Sequence, residues 1–317
     1  MYLKNHHKFV SRVIATVLLL LLIAWVLTSK DILVNQPQIF QVKSGSSMGE
    51  VAQELSDRQI IKSKKFFATV SRLLNANKNL KSGYYELKPD TSIFDFIGQI
   101  SSGEVLKTKV TLIEGKTIQY YFQQLNKDPS ITSNKSFENV MTAIGVQKPY
   151  DGWFFPETYI FNYGESIENV LKKSHETMKL KLAELWKNRD TSIPLDSPYQ
   201  AIILASLIEN ETALDKEKPM ISSVFIGRLN SNMRLQTDPT VIYALGDQYS
   251  PPLTRSDLQF DHPYNTYRNK GLPPGAISSV GYQSLFAALH PAKGNDLYFV
   301  SKKDGSHAFA KTYDEHK

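Results

Sequence analysis

The segment 197–212, SPYQAIILASLIENET, places the strongest constraint on how this chain folds. Ser197 suits the N-cap of a helix, Pro198 its first turn, and Gln200 the position that completes a capping box. The next eight residues are apolar apart from one serine. A helix with no polar face belongs in the middle of a folded domain, so this segment predicts a buried central helix.

Two carboxylates, Glu209 and Glu211, stand in the last turn of that predicted helix. Two residues on a helix are separated by about 200° around its axis, so the two side chains face different ways and at most one enters a pocket. Partial burial and the negative end of the helix dipole both raise a carboxyl pKa. A carboxyl that stays protonated suits a general acid, whereas two solvated glutamates at a helix end are the alternative.

Composition excludes several classes of protein. Hydrophobic residues make up 41% of the 317 residues and charged residues 21%, as in an ordinary folded protein. The absence of cysteine excludes disulfides, thiolate zinc sites and cysteine nucleophiles. The net charge of +6 is dispersed and suits an anionic membrane surface or an acidic polymer. No zinc-finger spacing, aromatic RNA-binding signature or basic helix is present, so we expect no nucleic-acid partner.

The N-terminus predicts a membrane anchor. Basic residues in segment 1–12 precede an uncharged apolar run, 13–28, somewhat shorter than the ~20 residues expected of a span. A cleaved signal peptide is the competing interpretation, but Trp25 and its large apolar neighbours stand where a small-residue cleavage site is needed. We therefore predict a retained transmembrane helix with 1–12 in the cytoplasm and the remaining chain outside it.

After a linker, 29–38, the pattern over 39–108 predicts a small α/β module. A strand at 39–42 is followed by a helix with the capping box Ser47 and Glu50, and by a second helix whose apolar side carries Phe66, Phe67, Val70, Leu73 and Leu74. A strand at 83–87 and a helix at 92–101 complete it. This order resembles the LysM-type glycan-binding fold, although a generic small α/β domain fits the same pattern.

Residues 109–317 predict a larger mixed domain. The expected helices cover 117–125, 167–186, 198–212 and 219–229, with a polar loop at 213–218 and strands at 235–237 and 297–300. No segment repeats at a fixed period, and helices and strands do not alternate regularly. The fold class is therefore α+β, consisting of a transmembrane helix, a small LysM-like module and a larger catalytic domain.

Several loops of this domain are rich in Asn, Gln, Thr, Tyr and Pro. Aromatic faces stack on sugar rings, and amide side chains bond hydroxyl and N-acetyl groups, so this composition suits a groove for a neutral hydroxylated polymer. The loops lie at 233–240, 264–267 and 271–277.

These motifs together resemble the YceG-like family of endolytic murein transglycosylases, from the anchor almost to the last residue. The matching segments are 151–159 (DGWFFPETY), 205–212 (ASLIENET), 235–240, 264–267 and 271–277. In the family the second glutamate of the Ile-Glu-x-Glu-Thr motif is catalytic, and that position is Glu211 here. Members of the family usually continue beyond the position of Lys317 into a further helix. The matched motifs all precede that position and are complete in this chain.

The resemblance implies a lytic transglycosylase reaction without metal or cofactor. Glu211 protonates the glycosidic oxygen between N-acetylmuramic acid and N-acetylglucosamine, and the 2-acetamido group assists at C1. The resulting carboxylate then takes the proton of the muramic acid C6 hydroxyl, which closes a 1,6-anhydro ring. One carboxyl acts first as acid and then as base, a substrate-assisted exception to the two-carboxylate scheme.

The same motifs supply candidates for holding the sugar, namely Gln236, Asp238, Tyr264 and Asn265. Asp238 has an alternative role in capping the turn through Pro239. Four further residues carry two open interpretations: His290 and His307 as functional or structural histidines, Glu157 and Arg228 as substrate contacts or an internal ion pair.

The expected location is the inner membrane, crossed once, with the C-terminal domain in the periplasm. The expected partners are nascent peptidoglycan strands, whose elongation the cut would terminate, and cell-wall synthases. A non-catalytic scaffold that grips glycan for those synthases is the alternative from a different functional class, and a hydrolase with a reducing-end product is a third.

Overall fold

The computed structural model describes residues 12–14, 16–17, 32–89, 91–302 and 304–316. The predicted span 13–28 lies for the most part outside these residues, as do segments 1–11 and 29–31. Among the described residues, no helix has the length and apolar character needed to cross a membrane. The chain divides into two compact units. The first consists of residues 1–108 and 161–164, and the second of residues 109–160 and 165–317.

The first unit is a small α/β module. Its strands β1 and β2 pair antiparallel, with Phe40 opposite Tyr85. Its large buried side chains include Phe40, Phe67, Tyr85 and Phe96, whose rings pack around Phe96 with centroids 5.9–6.4 Å apart. The elements in chain order are β1 (Gln38–Val42), α1 (Met48–Asp57), α2 (Lys64–Leu73), β2 (Gly83–Leu87) and α3 (Ile93–Ser102).

Serine side chains cap α1, α2 and α3, at Ser47, Ser63 and Ser92. The Ser47 and Glu50 capping box is confirmed, with both reciprocal bonds present. The prediction that the apolar side of α2 extends to its last residues is wrong. Leu73 and Leu74, the last residue and the C-cap of the helix, are 78% and 49% exposed.

The second unit is mixed α+β with short, scattered strand pairs rather than one sheet. β3 pairs with β5, β4 runs parallel to β6, and β7 and β8 form an antiparallel hairpin. Its strands are β3 (Lys107–Thr111), which begins in the first unit, β4 (Ile131–Thr132), β5 (Thr158–Asn162), β6 (Glu165–Ser166), β7 (Tyr298–Ser301) and β8 (His307–Ala310). Its helices are α4 (Ile118–Lys127), α5 (Phe137–Ile144), α6 (Ile167–Lys187), α7 (Pro198–Glu211), α8 (Lys218–Asn230), α9 (Asp238–Leu245), α10 (Tyr282–Leu289) and α11 (Tyr313–His316).

Helix α7 lies at the centre of this unit, as predicted. Every residue from Ala201 to Ile208 is buried, and α8 and α10 pack against the helix. The segment before β5 lies directly on it at Gly152, whose φ is +85° and where an added Cβ would stand 2.4 Å from Ile202. Only glycine combines this backbone conformation with so close an approach.

Two local predictions in this unit are wrong. The Gln200 side chain accepts from the Asp196 N–H at 2.6 Å rather than from Ser197, although the Ser197 hydroxyl does accept from the Gln200 N–H at 3.4 Å. The expected strand at 235–237 does not form. Gln236 has a φ of +50°, and this left-handed residue turns the chain so that no ladder can continue through it.

Candidate active site

Glu211 is the last residue of α7, and its side chain is largely buried but still reaches solvent. Its Oε2 accepts a hydrogen bond from the Thr237 hydroxyl at 2.6 Å. Thr237 is itself buried, and its N–H donates to the Thr266 hydroxyl at 3.1 Å. The central helix and the loop before α9 therefore fix the position of this carboxyl from two sides.

The surroundings of Glu211 favour its neutral form. Burial raises its pKa above the ordinary value of 4.5; the Thr237 hydrogen bond lowers it, the negative charge of Asp238 raises it, and the positive charges of His307 and Arg228 lower it. The net direction is upward. Its place at the C-terminal end of α7 adds the negative end of the helix dipole, which acts in the same direction.

Glu209, two residues earlier, lies in a different kind of environment. Its Oε2 accepts from the Gly281 N–H at 2.9 Å, and its Oε1 lies 3.6 Å from Lys218 Nζ. The two side chains are 7% and 5% exposed respectively, and Lys218 also binds Asp215 at 2.9 Å. Glu209 therefore ties the end of α7 to the starts of α8 and α10, while Glu211 faces the loop before α9.

Gln236 and Asp238 flank the threonine that binds Glu211. Both are exposed, and the N–H of Gln236 donates to the Thr266 carbonyl at 3.2 Å. Asp238 is the first residue of α9, and its Oδ1 accepts from the Tyr267 hydroxyl at 2.5 Å. Of the four sugar-holding candidates, these two are brought to the side of Glu211.

Tyr264 belongs to a second cluster. Its ring lies 4.9 Å from the ring of Tyr243, whose hydroxyl donates to Asp151 at 2.7 Å. Both tyrosines line a cavity of about 470 Å³, together with Pro149 and Pro274. An adjoining cavity of about 420 Å³, which shares Lys148 and Pro149 with it, is walled by Trp153 and Tyr199, stacked 4.8 Å apart.

Asn265 does not fit the predicted contact with a sugar. Its side chain is fully buried, Nδ2 donates to the carbonyls of Leu258 and Phe260, and Oδ1 accepts from the Tyr267 N–H at 2.9 Å. Every polar atom of the amide is thus engaged inside the loop. Asn265 holds that loop in shape and thereby places Tyr267 against Asp238.

The other open residues resolve as follows. His290 contacts the carbonyls of Phe286 and Asn188 and stacks on the Phe286 ring, contacts that are typical of a structural histidine. Arg228 donates to the carbonyls of Leu235 at 2.6 Å and Leu297 at 2.7 Å. Of the two interpretations of Glu157 and Arg228, the ion pair is wrong, because Glu157 is exposed and the guanidinium is engaged by those carbonyls.

Thr237, Tyr267 and Glu217 are not among the residues predicted from the sequence. The first two lie within motifs that were recognised, between or beside selected residues, so their position was a usable signal. Glu217 stands in a segment that the polar pattern predicted as a loop, and it is buried against His307. Nothing in the spacing connects two residues 90 positions apart. In the part of the chain that the structure describes, no three acidic or histidine side chains are grouped to hold a metal ion.

Comparison with known proteins adds the family. The profile of the YceG-like family matches residues 40–317. A protein named endolytic murein transglycosylase from Bacillus subtilis (strain 168) is 31% identical over 306 residues, which cover 87% of this chain and 81% of that protein. A protein of the same name from Streptococcus pneumoniae (strain D39 / NCTC 7466) is 25% identical, and the match covers 87% of this chain but only 56% of the pneumococcal protein.

A solved structure is also similar. The crystal structure of a YceG-like protein from Listeria monocytogenes matches with a TM-score of 0.57 and 30% sequence identity. The match covers 89% of this chain and 98% of the listerial one.

Proposed function

This chain belongs to the YceG-like family, and from that premise we propose that it is an endolytic lytic transglycosylase of peptidoglycan. It cuts nascent glycan strands between N-acetylmuramic acid and N-acetylglucosamine, leaves a 1,6-anhydro end and so terminates elongation. The relatives named endolytic murein transglycosylase support the substrate and the reaction class.

The observation that carries the proposal is the difference between Glu209 and Glu211. Glu209 is engaged by Lys218 and by the Gly281 N–H, whereas Glu211 reaches solvent and has a raised pKa. A scaffold protein has no need of an accessible carboxyl with a raised pKa at the end of a buried helix. A general acid requires one.

In the first step the carboxyl proton of Glu211 passes to the glycosidic oxygen, and the bond from that oxygen to C1 of N-acetylmuramic acid breaks. The carbonyl oxygen of the 2-acetamido group bonds to C1 and holds the positive charge in a five-membered ring. In the second step the Glu211 carboxylate removes the proton of the C6 hydroxyl. O6 then bonds to C1, the acetamido bond to C1 opens, and Glu211 regains its proton.

The role of the surrounding residues follows from their contacts. Thr237 fixes one oxygen of Glu211, which leaves the other for the sugar. Gln236 and Asp238, both exposed beside it, are placed to contact the bound strand. The cavities walled by Trp153, Tyr199 and Tyr264 offer aromatic faces on which sugar rings stack.

Digestion of purified peptidoglycan by the full chain, followed by mass analysis of the products, tests this proposal. We expect 1,6-anhydro ends. Products heavier by one water would make the enzyme a hydrolase. No cleavage at all would support the scaffold.

We also propose that segment 13–28 anchors the chain in the inner membrane, that the second unit lies in the periplasm, and that the LysM-like small unit grips glycan. The basic residues before the apolar run support the orientation of the anchor in the membrane. The order of β1, two helices and β2, with the two strands paired, supports the LysM-like fold of the small unit. Release of the full chain by alkaline carbonate would contradict the anchor. Unchanged amide signals of 38–102 on addition of N-acetylglucosamine oligomers would contradict glycan binding by the module.

A further inference from the structure

The mechanism above does not use the buried pair of His307 and Glu217, which contacts Thr212, the residue after Glu211. The ring nitrogen Nδ1 of His307 is 2.8 Å from Glu217 Oε2, and the backbone N–H of His307 donates to Glu217 Oε1 at 3.2 Å. The two side chains are 7% and 5% exposed. Both oxygens of one carboxylate therefore hold a single residue, which fixes the plane and direction of its imidazole.

Distant parts of the chain build this pair. Glu217 is the residue before α8, and His307 is the first residue of β8. Arg228 binds the Leu297 carbonyl, just before β7, and the Leu235 carbonyl, two residues before Thr237. The Phe299 ring meets the imidazole edge to face at 5.5 Å. The C-terminal hairpin is thus fastened to the loop that holds Glu211.

The pair is linked to Glu211 through the chain and through its charge. Thr212, the next residue after Glu211, directs its hydroxyl to Glu217 Oε2 at 3.5 Å. Burial raises the pKa of Glu217, but the hydrogen bonds and positive charge of His307 outweigh this and lower it, so the carboxylate form prevails. The positive charge of His307 in turn acts on Glu211 against the effect of burial.

The charged and titratable groups near Glu211 differ in their effect on its pKa and in where they lie. Asp238 raises the pKa of Glu211, and Arg228 and His307 lower it. Asp238 also holds the Tyr267 hydroxyl, whose pKa is raised by burial and by that hydrogen bond. The Glu217 carboxylate also lies near this end of α7, where it accepts from the Thr212 hydroxyl. Glu114, Glu209, Asp215 and Lys218 form a further charged group, which lies toward α8 and α10.

We propose that His307, oriented by Glu217, is a positioning residue that supplies the positive charge beside Glu211 while Glu211 is a carboxylate. The inference rests on the proposed function, because only an acid that later acts as a base passes through that anion. After the first step Glu211 carries a negative charge in a largely buried place, which is unfavourable without a compensating cation. His307 stabilises this charge until the C6 hydroxyl returns a proton, and it transfers no proton itself.

The test is the pH dependence of kcat/KM for the full chain acting on peptidoglycan strands. Its alkaline limb reports the pKa of the essential acid in the free enzyme. In His307→Gln we expect this limb to move upward by about half a unit to one unit, with kcat lower by roughly tenfold, because the cation that favours the Glu211 anion is gone. His307→Lys retains a cation and should keep the limb within a few tenths of a unit of wild type.

Two further variants test the direction of the shift in the alkaline limb. Asp238→Asn removes a negative charge that favours neutral Glu211, so its limb should move downward, opposite to His307→Gln. His290→Gln, which alters a histidine bonded only to carbonyls and stacked on Phe286, should leave the limb unmoved. If His307→Gln fails to fold with Glu217 unpaired, the uncharged pair Glu217→Gln with His307→Gln replaces it, and its limb should also move upward by a smaller amount.

A limb unmoved in His307→Gln or in the double variant, together with a lowered unfolding temperature, would overturn the inference and leave the pair as a structural clamp. Wild-type protein that forms no anhydro product would overturn the proposed function and this inference with it. The two failures are distinguishable because the first occurs in an active wild-type enzyme.

Discussion

Glu211→Gln is expected to lose cleavage by roughly 10³-fold or more while keeping the fold, because the amide neither gives nor takes the proton that both steps require. The substitution is nearly isosteric. The amide oxygen can still accept the hydrogen bond of the Thr237 hydroxyl, so the loop before α9 keeps its place. The loss then reports chemistry rather than structure.

Stability should change in the opposite direction to activity. The pKa of Glu211 is raised in the folded chain, first by burial, so its contribution to stability falls as pH rises through and above its unfolded pKa. Near neutral pH the native state therefore carries a cost at this residue that a neutral amide lacks. We expect Glu211→Gln to unfold at the wild-type temperature or slightly above it.

Anhydro ends counted by mass spectrometry and unfolding followed by circular dichroism measure the two effects on the same samples. Turnover within a few-fold of wild type in a folded Glu211→Gln protein would remove Glu211 from the mechanism. A variant that loses both activity and fold would assign this carboxyl to structure instead.

Glu209→Gln is the matched change on the same helix, and the opposite result is expected. The amide keeps an acceptor for the Gly281 N–H, but the buried Lys218 loses one of its two anionic partners. Because Asp215 remains at 2.9 Å, the loss in the free energy of unfolding should be about 1–3 kcal/mol rather than that of a wholly unpaired buried cation. Cleavage per folded molecule should stay within a few-fold of wild type.

Chemical denaturation of this variant, read beside its turnover at a temperature where it is folded, separates the two roles. Equal loss of turnover in Glu209→Gln and Glu211→Gln would mean that both carboxyls serve the reaction. An unchanged stability would show that the contacts of Glu209 with Lys218 and Gly281 do not hold the helix ends together.

The central helix could be predicted almost to the residue because its determinants are local. A serine cap, a proline in the first turn and a run that is apolar except for Ser206 predict a helix over 198–212 without reference to any other part of the chain, and α7 spans Pro198–Glu211. The spacing of Glu209 and Glu211 on this helix also predicts that their side chains face different ways. It could not choose between them, because the choice depends on Lys218, Gly281 and Thr237, which reach the helix end only in the folded chain.

Predictions failed where backbone conformation or long-range contact decides. The apolar alternation at 235–237 indicated a strand, but the left-handed Gln236 ends any ladder there. Asn265 looked like a sugar ligand by residue type, yet its amide is consumed by carbonyls of its own loop. The pairing of Glu217 with His307 brings together two residues that no local pattern relates.

Titration of the Glu211 carboxyl itself, in full-length protein carrying ¹³C-labelled glutamate, tests whether this group is a suitable general acid. The signal of Glu211 is identified by its absence from Glu211→Gln. We expect a midpoint above the ordinary value of 4.5. A midpoint at or below 4.5 would contradict this role, because the carboxyl would then have lost its proton before any sugar arrived.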